Sequence, residues 1–267
     1  MDRHARIDLR RGGTMPVLGL GTWKLTDETA RCVAEALEVG YRMIDTAVDY
    51  GSQPGIGAAI AGCGLDRGEI FVVTKIEEDD DPRGGVERDL SELGLDYADL
   101  TLIHRPPPDG PGEELWRGLL RAREEGLVRE VGVSNYAAEQ VDDLIARTDV
   151  VPAVNQLEWS PFGHSWNLLE HHRERGIVVQ AYSPLTRAER LDDPELTRIA
   201  REHGKTPAQV LLRWNLQIGT VPLPKANRPG HFRENLDIFD FEIPEAHMMR
   251  LETLEAHYSA LGGLPYA

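Results

Sequence analysis

Residues 27–51 read DETARCVAEALEVGYRMIDTAVDYG, and this stretch decides the fold. Ala30, Val33, Ala34 and Leu37 recur at spacings of three and four, which puts them on one stripe of a helix beginning at Asp27. Gly40 supplies the positive φ that ends it. The chain turns at once into a short apolar run, residues 42–45, that finishes on a carboxylate, Asp45. A helix handed directly to a buried strand is half of a βα repeat, and the same alternation continues in both directions.

Strand-type runs fall at residues 17–20, 42–45, 71–75, 100–104, 131–134, 153–156, 177–182 and 221–224, with helix-type segments between them. Thr206 and Pro207, a cap and a first helical position, open the helix AQVLLRWNLQIG that ends at Gly219. Eight such units predict a parallel α/β sheet closed into a (β/α)8 TIM barrel. Ahead of them, residues 7–9 and 15–17 flank RRGGT, a β-hairpin expected to close the bottom of the barrel. The competing architecture, a doubly wound open sheet, is disfavoured because GLGTW lacks the GxGxxG that opens a dinucleotide-binding βαβ unit. No composition shift or linker divides the chain, so residues 1–267 read as a single domain.

The 267 residues are 41% apolar, enough for a sizeable core, and carry a formal charge of −16 from 45 acids against 29 bases. That balance excludes the electrostatic footprint of a nucleic-acid binder and general attraction to anionic membranes. Cys32 and Cys63 sit in separate helix-type segments, outside any CxxC or Cys/His cluster, so neither a disulfide framework nor a metal site is expected. The basic start, MDRHARIDLRRGG, is followed by no secretory apolar run, and no stretch approaches eighteen consecutive apolar residues. A soluble cytoplasmic protein is the expectation; the oligomeric state is left open.

A parallel barrel gathers the C-terminal ends of its strands at one mouth. Asp45, Lys75 and His104 each end a strand-type run, and Tyr50 follows the first of them closely. Tyr50 is the proton donor of the set, provided a cation lowers its phenol from the usual range near 10. Lys75 can be that cation, and Asp45 can hold it charged and oriented. A neutral His104 could orient a substrate oxygen. Each residue alone also has a plain structural reading, a surface ion pair or a histidine satisfied by backbone.

The words around these residues decide between the readings. GLGTWKL (19–25), GYRMIDTAVDYG (40–51), VVTK (72–75), LGLDYADLTLIHRP (93–106), GVSNY (132–136), NQLEWSP (155–161), AYSPL (181–185) and PLPK with REN (222–225, 233–235) resemble, in order, the aldo-keto reductases. The resemblance implies a barrel that binds NADPH without a Rossmann domain and reduces a small carbonyl substrate. It implies Asp45, Tyr50, Lys75 and His104 as the catalytic tetrad. By the same resemblance Tyr182 stacks on the nicotinamide, and Ser134, Asn135 and Gln156 hydrogen-bond its carboxamide. Thr22, Ser183 and Leu185 also line the cofactor path, and Lys225, Ala226, Arg228, His231, Glu234 and Asn235 surround its adenosine end. Trp23 and Arg105 face the substrate.

Three departures bear on specificity. The family usually has Lys-Ser and an Arg six positions after that Lys to grip the 2′-phosphate, whereas here Ala226 and His231 take the last two places, with Arg228 the possible substitute. NADPH is expected and NADH is not excluded. After Lys75 comes Ile76 and the acidic run EEDDD, residues 77–81, expected to be a solvated loop; at the rim of a pocket it would disfavour anionic substrates. Arg105 stands where a Trp often follows the tetrad His, and the chain after the last helix is short. The alternative function is a regulatory or redox-sensing cofactor-binding protein with little turnover.

Overall fold

The computed structural model describes residues 2–25, 28–264 and 266. Asp27, the expected helix start, lies outside the described residues. A hairpin of β1 (Arg6–Asp8) and β2 (Thr14–Pro16) comes first, turning at Gly12 with φ 91°. The barrel strands are β3 (Leu20–Gly21), β4 (Met43–Asp45), β5 (Phe71–Ile76), β6 (Ala98–Ile103), β7 (Val128–Ser134), β8 (Val154–Glu158), β9 (Val178–Tyr182) and β10 (Val221–Leu223). They lie in chain order, each parallel to the next.

Around them run α1 (Thr29–Val39), α2 (Gln53–Gly62), α3 (Pro82–Leu93), α4 (Glu113–Glu124), α5 (Ala138–Thr148), α6 (Trp166–Arg175), α7 (Pro194–Glu202), α8 (Pro207–Gln217), α9 (Pro229–Leu236) and α10 (Glu245–Glu252). The sequence punctuation holds at both helices singled out for it. Gly40 closes α1 at φ 124°, its N–H donating to Ala36 and Leu37, and Thr206 with Gln209 forms a reciprocal capping box before α8. The buried face of α1 is Cys32, Val33, Ala36 and Leu37.

Strands buried on both faces read as continuous apolar runs, and all six residues of β5 are buried. Side chains alternate between the barrel interior and the helical layer. Ile44, Val72 and Ile103 pack outward, with helical residues such as Val33 or Trp116. Met43, Phe71, Val73, Leu100, Leu102, Val154, Val178, Val221 and Leu223 cluster together inside, with Leu9 and Met15 of the hairpin segment beneath them. The hairpin therefore plugs the bottom, as expected.

The last pair of neighbours, β3 and β10, is joined by a seam rather than a full ladder. Gly19 and Gly21 donate their N–H groups to Pro222 and Pro224 carbonyls at 3.1 Å each, and Gly21 bridges Lys225. Glycine is required there: a Cβ on Gly21 would stand 2.8 Å from the Leu223 carbonyl oxygen, and one on Gly19 2.7 Å from the Leu223 side chain. The GLG of the sequence is thus the closure of the barrel.

The strand boundaries differ from expectation in places with identifiable causes. The first strand is Leu20–Gly21 rather than residues 17–20, because Val17 donates to Ala5 and is drawn into the hairpin. The strand expected at 131–134 begins at Val128, which pairs with Ala98. Among the described residues, no helix is long and apolar enough to cross a membrane.

Gly21→Ala should lower stability by about 1–3 kcal/mol, the usual range for overpacking, since the clashing atom is backbone and cannot swing away. Urea denaturation followed by circular dichroism measures it. An unchanged midpoint would mean that the seam is not a close contact.

Candidate active site

The alternation that fills the barrel carries upward to its mouth. Met43 is followed two residues on by Asp45; Phe71 and Val73 by Lys75; Leu100 and Leu102 by His104; Val154 by Gln156; Val178 and Gln180 by Tyr182. Each of these inward-facing series, apolar except for the buried Gln180, is therefore topped by a polar side chain at the C-terminal end of its strand. A cavity of about 770 Å³ opens there, lined in part by Asp45, Tyr50, His104, Gln156 and Tyr182.

Lys75 is fully buried and is the hub. Its Nζ donates to both Asp45 carboxylate oxygens at 2.9 and 3.0 Å, to the Thr46 carbonyl at 2.8 Å and to the Tyr50 hydroxyl at 3.3 Å. Burial works against the Lys75 ammonium, but Asp45 and Tyr50 outweigh it and hold its pKa above the ordinary lysine value. Asp45 is fixed in turn. Gln156 Nε2 donates to its Oδ1 at 2.7 Å, and the backbone carbonyl of Asp45 accepts from Thr22 Oγ1 at 2.8 Å.

Tyr50 does not follow the expected direction. Burial pushes its phenol above the usual tyrosine range, Lys75 offsets this only in part, and Asp45 adds to it. The net shift is upward, because an enclosed phenolate loses more hydration than one shared ammonium returns. Tyr50 is accordingly a firmly protonated donor.

His104 meets the edge of the Tyr50 ring, with centroids 5.9 Å apart. Its Nδ1 lies 2.9 and 3.1 Å from the two carboxylate oxygens of Glu77. The expectation of a merely solvated acidic loop fails for this residue. Of the rest of the run, Asp80 makes a paired ion bridge to Arg88, Asp81 caps α3 through Gly84, Glu78 lies 3.8 Å from Arg105, and Asp79 is exposed. None of the five lines the cavity. Glu77 was missed, although it extends the inward-facing series Phe71, Val73, Lys75 by two more positions.

The expected cofactor residues divide into those the cavity exposes and those it does not. Ser134, Asn135, Gln156, Tyr182, Ser183, Leu185, Lys225, Ala226, His231, Glu234 and Asn235 line it, as do Trp23 and Arg105. Asn135, at φ 63°, donates to the His104 carbonyl at 3.1 Å and accepts from the Tyr182 hydroxyl at 2.8 Å. Ser134 Oγ donates to the Gln156 carbonyl.

Two residues stand elsewhere. Thr22 is completely buried with its hydroxyl on Asp45, so it braces the site from behind. Arg228 is exposed at the start of α9 and does not line the cavity, although Asn227 and His231 on either side of it do. Sequence reasoning also missed Lys24 and Arg187, whose cationic groups lie 4.3 and 4.2 Å from the Trp23 ring centroid on the cavity wall.

Fold and mouth together define a (β/α)8 barrel with a polar site at the C-terminal ends of its strands. The family model described as "Aldo/keto reductase family" matches residues 17–256. An aldo-keto reductase of Mycobacterium tuberculosis is 45% identical over 264 residues, spanning 97% of this chain and 90% of that protein; one from Mycobacterium leprae is 41% identical over 254 residues, 93% and 90%. The crystal structure of an aldo/keto reductase from Brucella melitensis superposes with a TM-score of 0.89 at 38% identity, covering 94% of this chain and 99% of that one. The Bombyx mori aldo-keto reductase, solved in complex with NADP, gives 0.90 at 33% identity, covering 97% and 95%. This chain belongs to the aldo/keto reductase family.

Asp45→Asn leaves the Lys75 charge buried with one strong partner removed, and should lower stability by about 3–5 kcal/mol. Chemical denaturation at neutral pH reads this directly. A loss below 1 kcal/mol would mean that Lys75 does not depend on Asp45.

Proposed function

We propose that this protein reduces an aldehyde or ketone to the alcohol with NADPH, and that Tyr50 is the proton donor. The observation that carries the reading is the buried chain from Asp45 through Lys75 to the Tyr50 hydroxyl, ending at the cavity. An intact chain of this kind weighs against the regulatory alternative.

The mouth fits a phosphorylated dinucleotide. In a chain of net charge −16, Lys24, Arg187, Lys225 and His231 gather on one cavity. The Lys225 ammonium is pulled below its ordinary pKa by burial and by Lys24 beside it, a strain that a bound phosphate would relieve. Ser183 and Leu185 would line the pyrophosphate, and Lys225, Ala226, His231, Glu234 and Asn235 the adenosine end. Ser134, Asn135 and Gln156 would hold the carboxamide. Gln156 has its amide hydrogens on Asp45 and Gln180, so its contribution is as an acceptor through Oε1. Tyr182 would stack against the ring.

A dihydronicotinamide held by these residues would supply hydride to a carbonyl carbon. The residues of the chain do the rest. Tyr50 transfers its proton to the carbonyl oxygen, and the phenolate left behind is stabilised by Lys75 at 3.3 Å. Asp45 keeps Lys75 charged through this exchange. His104 orients the oxygen, and Trp23 and Arg105 frame the substrate.

Tyr50→Phe should lower kcat by about 10²-fold or more while leaving the Kd for NADPH within about twofold. In ultraviolet difference titration, the wild type should show no ionisation absent from Tyr50→Phe below pH 10, since burial moves this phenol upward. Full turnover by the variant would mean that another group is the acid.

NADPH should be the better cofactor by KM. Lys225→Met should raise the KM for NADPH by about tenfold, the loss of one charge-assisted contact, and change that for NADH little. Equal or better use of NADH by the wild type would overturn the preference.

A further inference from the structure

The mechanism above uses His104 and is silent on Glu77, whose carboxylate spans the His104 ring nitrogen Nδ1 with both oxygens, at 2.9 and 3.1 Å. An ionised carboxylate only accepts hydrogen bonds. Burial alone would raise the Glu77 carboxyl, but its contact with His104 prevails and holds it below the usual carboxylate range. The proton between the two groups therefore sits on Nδ1.

Glu77 is itself held. Its backbone N–H donates to Asp80 Oδ2 at 2.9 Å, and Asp80 is gripped through both oxygens by Arg88. On the other side of the histidine, its backbone N–H donates to Ile76 and its carbonyl accepts from Asn135. The backbone under each of the two side chains is thus tied down, so the fold brings ring and carboxylate to adjacent positions.

The consequence concerns the second ring nitrogen. In a neutral imidazole one nitrogen donates and the other accepts. With Nδ1 protonated toward Glu77, a neutral His104 offers only a lone pair at Nε2, which suits an alcohol O–H. It cannot donate to a carbonyl oxygen unless the ring carries both protons.

We propose that Glu77 is a positioning residue: by accepting the Nδ1 proton it fixes the tautomer of His104, so that Nε2 donates to a carbonyl oxygen only in the doubly protonated ring. The inference rests on the carbonyl-reducing reading above for its kinetic consequence, but not for the tautomer itself. The charged and titratable groups facing the ring are Glu77 and, beside it, Arg105 with Glu78; Asp49, whose Oδ1 is 4.0 Å from Nδ1; and Tyr50 with Lys75 behind it.

Two variants separate charge from hydrogen bonding. Glu77→Gln keeps an oxygen acceptor for Nδ1 but removes the charge, while Glu77→Leu removes both. Histidine-selective ¹⁵N labelling, with the His104 signals assigned by their loss in His104→Asn, reads which nitrogen is protonated once the ring is neutral. The expected result is Nδ1–H in the wild type and Glu77→Gln, and Nε2–H in Glu77→Leu. With a small neutral aldehyde and NADPH, wild-type kcat/KM should fall with rising pH along a one-proton limb. Glu77→Leu should lose that limb, because its neutral ring can donate from Nε2.

An Nε2–H ring in the neutral wild type, an Nδ1–H ring in Glu77→Leu, or an unchanged limb in that variant would each overturn the proposal. If no aldehyde is reduced by any form, the carbonyl-reductase reading fails, and the nitrogen signals still decide the tautomer.

Discussion

A lysine ammonium buried completely inside a barrel is the constraint on which the site depends. Removing such an ion from water carries a desolvation penalty of several kcal/mol unless its protons are met with good geometry. Here they are met by Asp45, the Thr46 carbonyl and Tyr50. Asp45 must itself be rigid to do this, which accounts for the layer around it: Gln156 on the carboxylate, and Thr22 on its backbone carbonyl with Ser52 between Thr22 and Thr46. The seam glycines belong to the same requirement. Gly21 pairs with Asp45 in the parallel ladder, so the backbone that closes the barrel is the backbone that sets the height of the carboxylate.

Much of this was legible in the sequence because a strand has a period of two. Once residues 71–75 are read as a strand in a closed barrel, Lys75 must share the interior face with Phe71 and Val73, and His104 must share it with Leu100 and Leu102. The polar residues topping apolar stacks are thus fixed by parity alone. Glu77 obeys the same parity and was obscured by its neighbours, because EEDDD reads as a solvated charge run and the partner of Glu77, His104, lies 27 positions onward. No local pattern reports such a contact. Thr22 and Arg228 stand outside the cavity for a different reason: each has a residue type suited to a phosphate or cofactor, but Thr22 is buried against Asp45 and Arg228 is exposed at the cap of α9, and neither burial state is written in the local sequence.

The direction of the Tyr50 shift shows where pairwise reasoning from sequence stops. Proximity to Lys75 predicts a phenol below its usual range, yet the same enclosure that brings the two together removes water from the phenolate, and Asp45 neutralises much of the field of the lysine. In the resting site the ammonium is largely engaged by its carboxylate. The arrangement therefore does little to ionise Tyr50 beforehand and more to receive the charge that appears when the proton leaves. This division suits a reductase, in which the donor must hold its proton until the carbonyl oxygen becomes basic.

Glu77 imposes a complementary condition through His104, the ring beside Tyr50. Tyr50 is kept neutral by burial and, in the proposed reaction, would supply one proton; His104, with Nδ1 committed to a carboxylate, would supply a second hydrogen bond only with its ring charged. An imidazolium beside the developing alkoxide stabilises it more strongly than a neutral donor does, since charge-assisted hydrogen bonds are roughly twice as strong. The same ring, once neutral, presents an acceptor to the product hydroxyl. On the proposed reading, the Glu77–His104 pair would couple the protonation of one imidazole to which side of the carbonyl–alcohol equilibrium the site holds better, through a residue that lies outside the cavity.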